Sequence, residues 1–366
     1  MTRQANITVK QMKVIITFFL LGDIMWFLPT TTTAVVQEDA WISAMIGIVI
    51  GIGLASLIFL FASKFRGLSL IHINRKVLGK YVGGVFSLFF LYLVFNNASA
   101  QVRVIGEFIT VQMMTETPMR VIMFFFSAVV MIAVYTGYSV IARAAQVFYL
   151  LFVVMFSIFI VLLFPEVTSS NLQPILNHTP GKLFGGALLV IAFPFCQLTT
   201  LLMLFPYVEN KRGAIKEYLY STVLSGIAIL LVILMSILVL GSYMTANHFY
   251  ATYTLAKKIN IGNFLQRLEV ILVISYLTST FYKCAITLHI VCRGLQQLFG
   301  LREYRTLVVP MFLMVFGYAY VLTPNTVVFN SLSPPWAFWE ISNVLLQVFV
   351  VYSVYWLRTR WRKSPI

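Results

Sequence analysis

The sequence predicts an all-α integral membrane protein with ten transmembrane helices, the first and sixth interrupted. Three observations predict it. The 366 residues are 60% hydrophobic and only 10% charged, with mean hydropathy +0.91, whereas a soluble domain carries about 25% charged residues. Apolar runs long enough to cross a bilayer, about 20 residues each, recur over the whole length. The basic residues gather in alternate short loops between those runs.

The ten spans are read as 13–36, 41–62, 82–108, 119–136, 144–164, 183–208, 217–241, 268–292, 306–323 and 336–357. An even number puts both termini on one side. With that side cytoplasmic, 19 Lys and Arg fall inside and five outside, as the positive-inside rule requires. The same distribution accounts for the formal net charge of +15 without a nucleic-acid partner. The first run is read as a span and not a cleaved leader, because it is too long and no small-residue cleavage site follows it. Cys196, Cys284 and Cys292 lie inside apolar segments and form no CxxC pair, and the four histidines lack metal-ligand spacing. No enzyme active site, metal or cofactor is expected. The chain reads as a single polytopic membrane domain over 1–366, with no soluble domain and no nucleotide-binding motif. Any work it does must draw on ligand binding or an ion gradient.

The first span is poorly built for an ordinary membrane helix. Gly22 weakens it, Asp23 places a carboxyl in hydrocarbon, and Pro29 deprives the Met25 carbonyl of its helical donor. Thr30, Thr31, Thr32 and Thr33 follow, offering hydroxyls to loosened backbone. Non-helical backbone at membrane depth is tolerated only where protein or a water-filled cavity surrounds it, so this stretch reads as a broken helix lining a site. The loop between spans 2 and 3 reads as a short basic amphipathic connector, with Leu68, Leu70, Ile71 and Ile73 beside Arg75, Lys76 and Lys80.

The third span carries Asn96, Asn97, Ala100, Gln101, Arg103 and Glu107; positions 96, 100, 103 and 107 share one face, flanked by Gln101. Arg103 and Glu107 are spaced to pair and read as a structural ion pair near the outer surface, whereas Asn97 and Gln101 are candidates to line a cavity. The sixth span is interrupted like the first, at Phe193-Pro194-Phe195-Cys196-Gln197, with Pro206 closing it. A plain proline kink is the bland alternative. Broken spans at corresponding positions of two five-helix halves, about 13–164 and 183–357, instead point to an inverted repeat with its site between them.

Ser242 to Asn263 form the longest extracytoplasmic segment. In the eighth span Ser275, Thr278 or Ser279, and Tyr282 recur on one face, and Ser279, Lys283 and Thr287 on its neighbour. Two readings of Lys283 stand: a snorkelling structural cation, or an ammonium set beside Asp23 where some transporters bind sodium. His289 reads as interfacial. In the tenth span Trp336 and Trp339 read as interfacial anchors and Glu340 as a headgroup-level charge.

Taken together, these pieces resemble the GerAB-type spore germination permeases, a branch of the amino acid–polyamine–organocation transporter superfamily. The resemblance runs essentially end to end. Its residues are Gly22 to Pro29 with Gln37-Glu38-Asp39-Ala40-Trp41-Ile42-Ser43, then Thr117-Pro118 and Ala142-Arg143-Ala144. Phe164-Pro165-Glu166-Val167 and Asn171-Leu172-Gln173-Pro174-Ile175-Leu176 continue it, followed by Leu204-Phe205-Pro206-Tyr207-Val208. Arg267-Leu268-Glu269 with Lys283, and Leu298 to Arg305, complete it.

The resemblance implies a LeuT-like 5+5 inverted repeat with discontinuous helices 1 and 6. It implies the membrane subunit of a nutrient germinant receptor in the spore inner membrane, partnered by an A-type membrane subunit and a C-type lipoprotein. A small nutrient, most often an amino acid, would bind between the broken spans with help from the third and eighth. The candidate ligand-binding residues are then Gly22, Asp23, Phe27, Asn97, Gln101, Phe193, Phe195, Gln197, Ser275, Thr278 and Ser279. Asp23, Lys283, Arg103 and Glu107 are charge-pair or ion-site candidates, and Pro29 and Pro194 mark the helix breaks.

Two departures follow. Where relatives commonly carry Gly-x-Gly, this chain has Gly22-Asp23-Ile24, which disfavours a ligand carboxylate and favours an ammonium. Cys196-Gln197 stands where many relatives carry Gly-Glu. Three functions stay open: a receptor subunit, a proton- or sodium-coupled transporter of amino acids or amines, and an assembly scaffold whose site has decayed.

Overall fold

Among the described residues the long apolar runs are built of helices, because in lipid only helices and closed barrels satisfy the backbone internally. The computed structural model describes residues 7–22, 27–65, 67–208, 213–259, 269–323 and 326–361. Among these the sole β feature is one isolated parallel bridge between Ile7 and Val208.

The first span is split as expected. Helix α1 (Val9–Leu21) ends at Gly22, whose N–H still reaches the Phe18 carbonyl, and α2 (Leu28–Val36) begins beyond it. Pro29 has a different role from the one its sequence suggested. It sits in the first turn of α2, where its missing N–H costs nothing, so it starts a new helix instead of interrupting one. Two of the threonines behave as foreseen: Thr31 Oγ1 donates to the Phe27 carbonyl at 2.8 Å and Thr30 Oγ1 to that of His248 at 2.9 Å. Thr32 and Thr33 are buried, and their hydroxyls find no hydrogen bond among the described residues.

Helix α3 (Ala40–Lys64) is the second span. The basic connector forms α4 (Leu70–Leu78), which turns Leu70, Ile71, Ile73 and Val77 inward. Gly79, at φ +90°, ends α4 and starts α5, a conformation that glycine adopts at little cost. The third to fifth spans are α5 (Lys80–Gln112), α6 (Met119–Thr136) and α7 (Tyr138–Leu163).

The sixth span is distorted throughout. Helix α8 (Pro180–Val190) passes into a π turn at Ile191–Phe195 containing Pro194, then into a 3₁₀ stretch at Cys196–Met203. Next come α9 (Ala214–Asn247), kinked at Gly241, the short α10 (Ala251–Lys258), α11 (Glu269–Phe299) and α12 (Val308–Val321). The chain ends in α13 (Thr326–Ser331), α14 (Ser333–Val344), a π stretch at Leu345–Val350 and α15 (Val351–Trp361).

Eight helical stretches among the described residues are long and apolar enough to cross a membrane. Of the ten predicted runs, two are absent from this count: the first, divided between α1 and an α2 that is joined to α3, and the ninth, where α12 has 14 residues. Burial shows where the centre lies: 94% of the apolar window of Pro180–Met203 is buried, against 22% for α6 and for the fifth span. The distorted sixth span is thus the axis, and α6 and α7 form the rim.

Candidate functional site

The two interruptions meet. Phe27, at the start of α2, and Phe193, in the π turn, are both buried, with ring centroids 4.5 Å apart in an edge-on contact. α1 packs on α11, and there Gly22 touches the eighth span. The Gly22 carbonyl accepts from Thr280 Oγ1 at 3.3 Å, and a Cβ at Gly22 would lie 2.7 Å from Lys283 Cδ. Lys283 is 1% exposed, with Nζ 5.2 Å from the Phe19 ring centroid. Its ammonium therefore does not snorkel to an interface; it lies inside the bundle beside the break. Asp23, its expected partner, lies outside the described residues, as do Arg267 and Leu268 of the resembling motif.

A second polar group forms where the sixth span meets α5 and α14. Asn97 Nδ2 donates to Glu340 Oε1 at 2.7 Å, and Gln197 Nε2 donates to the same oxygen at 3.2 Å. Trp336 Nε1 donates to Asn97 Oδ1 at 3.1 Å. All but Trp336 are at most 7% exposed. Two sequence readings are corrected here. Glu340 is not a headgroup charge, because α14 turns it inward to 2% exposure. Trp336 reaches inward to Asn97, while Trp339, 43% exposed, keeps the outward orientation of an anchor.

Gln101 is buried on the face of α5 that Asn97 shares. Ser275 and Ser279 are buried but donate to their own helix, to the carbonyls of Ile271 and Tyr276. Thr278 lies apart from them, in a lateral apolar groove with Phe125, Phe148 and Tyr282. Phe195 also turns away from the Phe27–Phe193 contact: it packs on α3, where a Cβ at Gly51 would come within 2.3 Å of its ring.

Arg103 and Glu107 pair at 2.7 Å, each side chain about 4% exposed, and Arg103 Nη1 also donates to the Tyr320 carbonyl. Between α9 and α10, burial pushes the Tyr250 hydroxyl pKa up, with the Glu107 carboxylate adding to the shift and Arg103 opposing it. Tyr250 also packs edge-on against Phe108, which brings its ring to the C-terminal part of α5.

Two contacts tie the start of α1 to the rest of the bundle. Ile7 N donates to the Tyr207 carbonyl at 2.9 Å, and Lys13 pairs with Glu217 at 3.0 Å. His289 is not interfacial: it is 1% exposed and wedged between the rings of Tyr138 and Tyr304. Sequence reasoning thus missed Thr280, Glu340 and Trp336. The spacing Trp336, Glu340, Asn343, Gln347 was the available signal, one polar stripe at helical period along the tenth span.

The chain matches the family model described as "Spore germination protein" (spore permease) over residues 6–327. It is 24% identical to spore germination protein KB of Bacillus subtilis (strain 168) over 318 residues, 84% of this chain and 83% of that one. It is 26% identical to the putative spore germination protein YfkT of the same strain over 328 residues, 87% of each. It is 24% identical to spore germination protein GerQB of Bacillus cereus, over 88% of this chain and 87% of that one. Among solved structures it resembles MhsT in complex with L-phenylalanine, with TM-score 0.68 at 13% identity, covering 92% of this chain and 87% of that one. That likeness gives the fold, LeuT-like. The chain belongs to the spore germination protein family of integral membrane permeases.

Proposed function

We propose that this protein is the membrane subunit of a spore nutrient germinant receptor, binding an amino acid or related small nutrient midway across the bilayer. The observation that carries the reading is the meeting of the two helix interruptions at Phe27 and Phe193, within a fold shared with a structure that holds L-phenylalanine. The ligand would lie among Gly22, Asp23, Phe27, Asn97, Gln101 and Gln197. Ten spans in two inverted repeats, about 13–164 and 183–357, would frame it, with both termini on the core side of the spore inner membrane.

A ligand shifts such a protein only by preferring one conformation. The conformation it selects would close α1, α2 and the distorted sixth span around it, and so alter contacts with an A-type membrane subunit and a C-type lipoprotein. A nutrient screen on spores lacking this gene tests the reading: the response to one nutrient class is lost and the others persist. An unchanged response to every nutrient overturns it.

The LeuT-like fold also favours a second reading, a working secondary transporter. Uptake of labelled amino acids into proteoliposomes separates the two. Gradient-driven accumulation would establish transport and remove the purely sensory reading.

A further inference from the structure

Where the chain begins, α1, α7 and the start of α9 enclose a cleft of about 1210 Å³, open on one side. Lys10, Lys13 and Lys216 line it, together with Gln146, Tyr149 and Glu217. Lys13 is held in place: it pairs with Glu217 at 3.0 Å, and its Nζ lies 4.7 Å from the centre of the Tyr220 ring. That pair engages the only carboxylate of the lining. Lys10 and Lys216 are exposed and form no ion pair among the described residues. Three lysines against one glutamate leave the lining with a net charge of +2. Gln146 Oε1 accepts from Gln11 Nε2 at 3.2 Å, and its own amide nitrogen remains a donor. α9 starts after Gly213 without a side-chain cap, so its positive end borders the same space.

Toward the middle of the bundle the surface beside this cleft turns apolar. Tyr220, Leu224 and Ile227 follow Lys216 along α9 at helical spacing, and Leu150 follows Gln146 along α7; all four are exposed. α7 and α9 touch, so these side chains flank one seam. A single lysine on a helix end needs only water for its ammonium. Three that converge with an amide and a phenol above an exposed apolar seam match both halves of a lipid. Basic pockets between membrane helices hold anionic headgroups, and lysine binds phosphate as a compact point charge. We propose that this cleft binds the headgroup of an anionic phospholipid, whose acyl chains lie against the apolar seam of α7 and α9. Because α1 carries Lys10 and Lys13 and leads to the break at Gly22, the bound lipid fastens the N-terminal half of the broken first span to α7 and α9. The inference does not depend on the nutrient site.

The test titrates the purified full chain in nonionic detergent with dioleoyl phosphatidylglycerol, with dioleoyl phosphatidylcholine, which has the same chains but no net charge, and with inorganic phosphate. The readout is the concentration that gives half the maximal rise in melting temperature. Phosphatidylglycerol should act at a lower concentration than phosphatidylcholine. The double variant Lys10→Gln with Lys216→Gln leaves the Lys13–Glu217 pair intact and should weaken phosphatidylglycerol about 30-fold, from the contribution of each lysine at an anionic surface. The control Lys76→Gln with Lys80→Gln removes the same charge from exposed positions on α4 and α5 and should leave the preference in place.

The comparison of the two lipids on the unmutated chain stands even if the double variant does not fold, and Lys216→Gln alone should then cost about fivefold. Equal action of the two lipids overturns the inference. So does an equal loss in both double variants, which would assign the preference to the diffuse charge of the chain. Stabilisation by inorganic phosphate with none by phosphatidylglycerol overturns it too, because the cleft would then hold a soluble anion and not a lipid. None of these outcomes bears on nutrient binding, which the nutrient screen tests separately.

Discussion

Gly22→Ala probes the contact between the broken first span and Lys283. The backbone at Gly22 is right-handed helical, φ −59° and ψ −25°, so alanine meets no conformational strain. The added methyl does meet Lys283 Cδ at 2.7 Å, Lys283 Cβ at 3.2 Å and the Phe18 carbonyl oxygen at 3.3 Å. Overpacking of this kind costs about 1–3 kcal/mol, and the higher helix propensity of alanine returns about 1 kcal/mol. The net expectation is a destabilisation of about 0–2 kcal/mol.

Lys283→Ala removes the stem beyond Cβ, and with it the 2.7 Å clash. In that background Gly22→Ala should be neutral or slightly stabilising, so the two changes couple by about 1–3 kcal/mol. The assay is a double-mutant cycle on unfolding midpoints in detergent, run beside the germination dose response. Effects that add within about 0.5 kcal/mol would refute the packing of Lys283 against the break.

Three further outcomes follow from the geometry. Gly51→Ala drives a methyl to within 2.3 Å of the Phe195 ring and should lower stability by about 1–3 kcal/mol, measured as melting temperature; a neutral result would dissociate α3 from the π turn. Asp39 is fully buried and accepts from the backbone N–H groups of Leu176 at 2.7 Å and His178 at 3.1 Å. Asp39→Ala strands both, about 1–3 kcal/mol for each unsatisfied group, so proteolysis within the 5–6 loop should accelerate, with Asp39→Asn intermediate; equal cleavage in all three proteins would show that the clasp does not hold the loop. Arg103→Met leaves the buried Glu107 carboxylate without its guanidinium, a loss of about 3–5 kcal/mol. The double change Arg103→Met with Glu107→Leu should recover most of it in unfolding assays, and a double variant no better than the single would count against a buried pair.

How much was legible depended on whether the signal was local. The break at Gly22 could be read because glycine, a carboxyl and proline inside one apolar run conflict with helix formation wherever the chain goes. Arg103 and Glu107 could be paired because positions four apart on a helix meet without help from tertiary structure. Glu340 could not be read correctly. Its position four residues after Trp336 is compatible with a headgroup charge, and only the inward turn of α14 onto Asn97 and Gln197 buries it. Thr278 shows the reverse error: at helical spacing it shares a stripe with Ser275, yet the packing of α6 and α7 turns it into a separate groove.

By itself, the sequence determined the membrane class, the helical content, the two interruptions and the family resemblance. All of these follow from composition, local backbone chemistry or the order of motifs. The tertiary structure decided which polar groups share a space. It set Phe27 against Phe193, Lys283 against Gly22, and the carboxylate of Glu340 between amides from two other elements. The physical reason is that periodicity specifies the face of a helix but not the neighbour that face meets. In a bundle where most residues are apolar, close packing of side chains, and not hydrophobicity, chooses that neighbour.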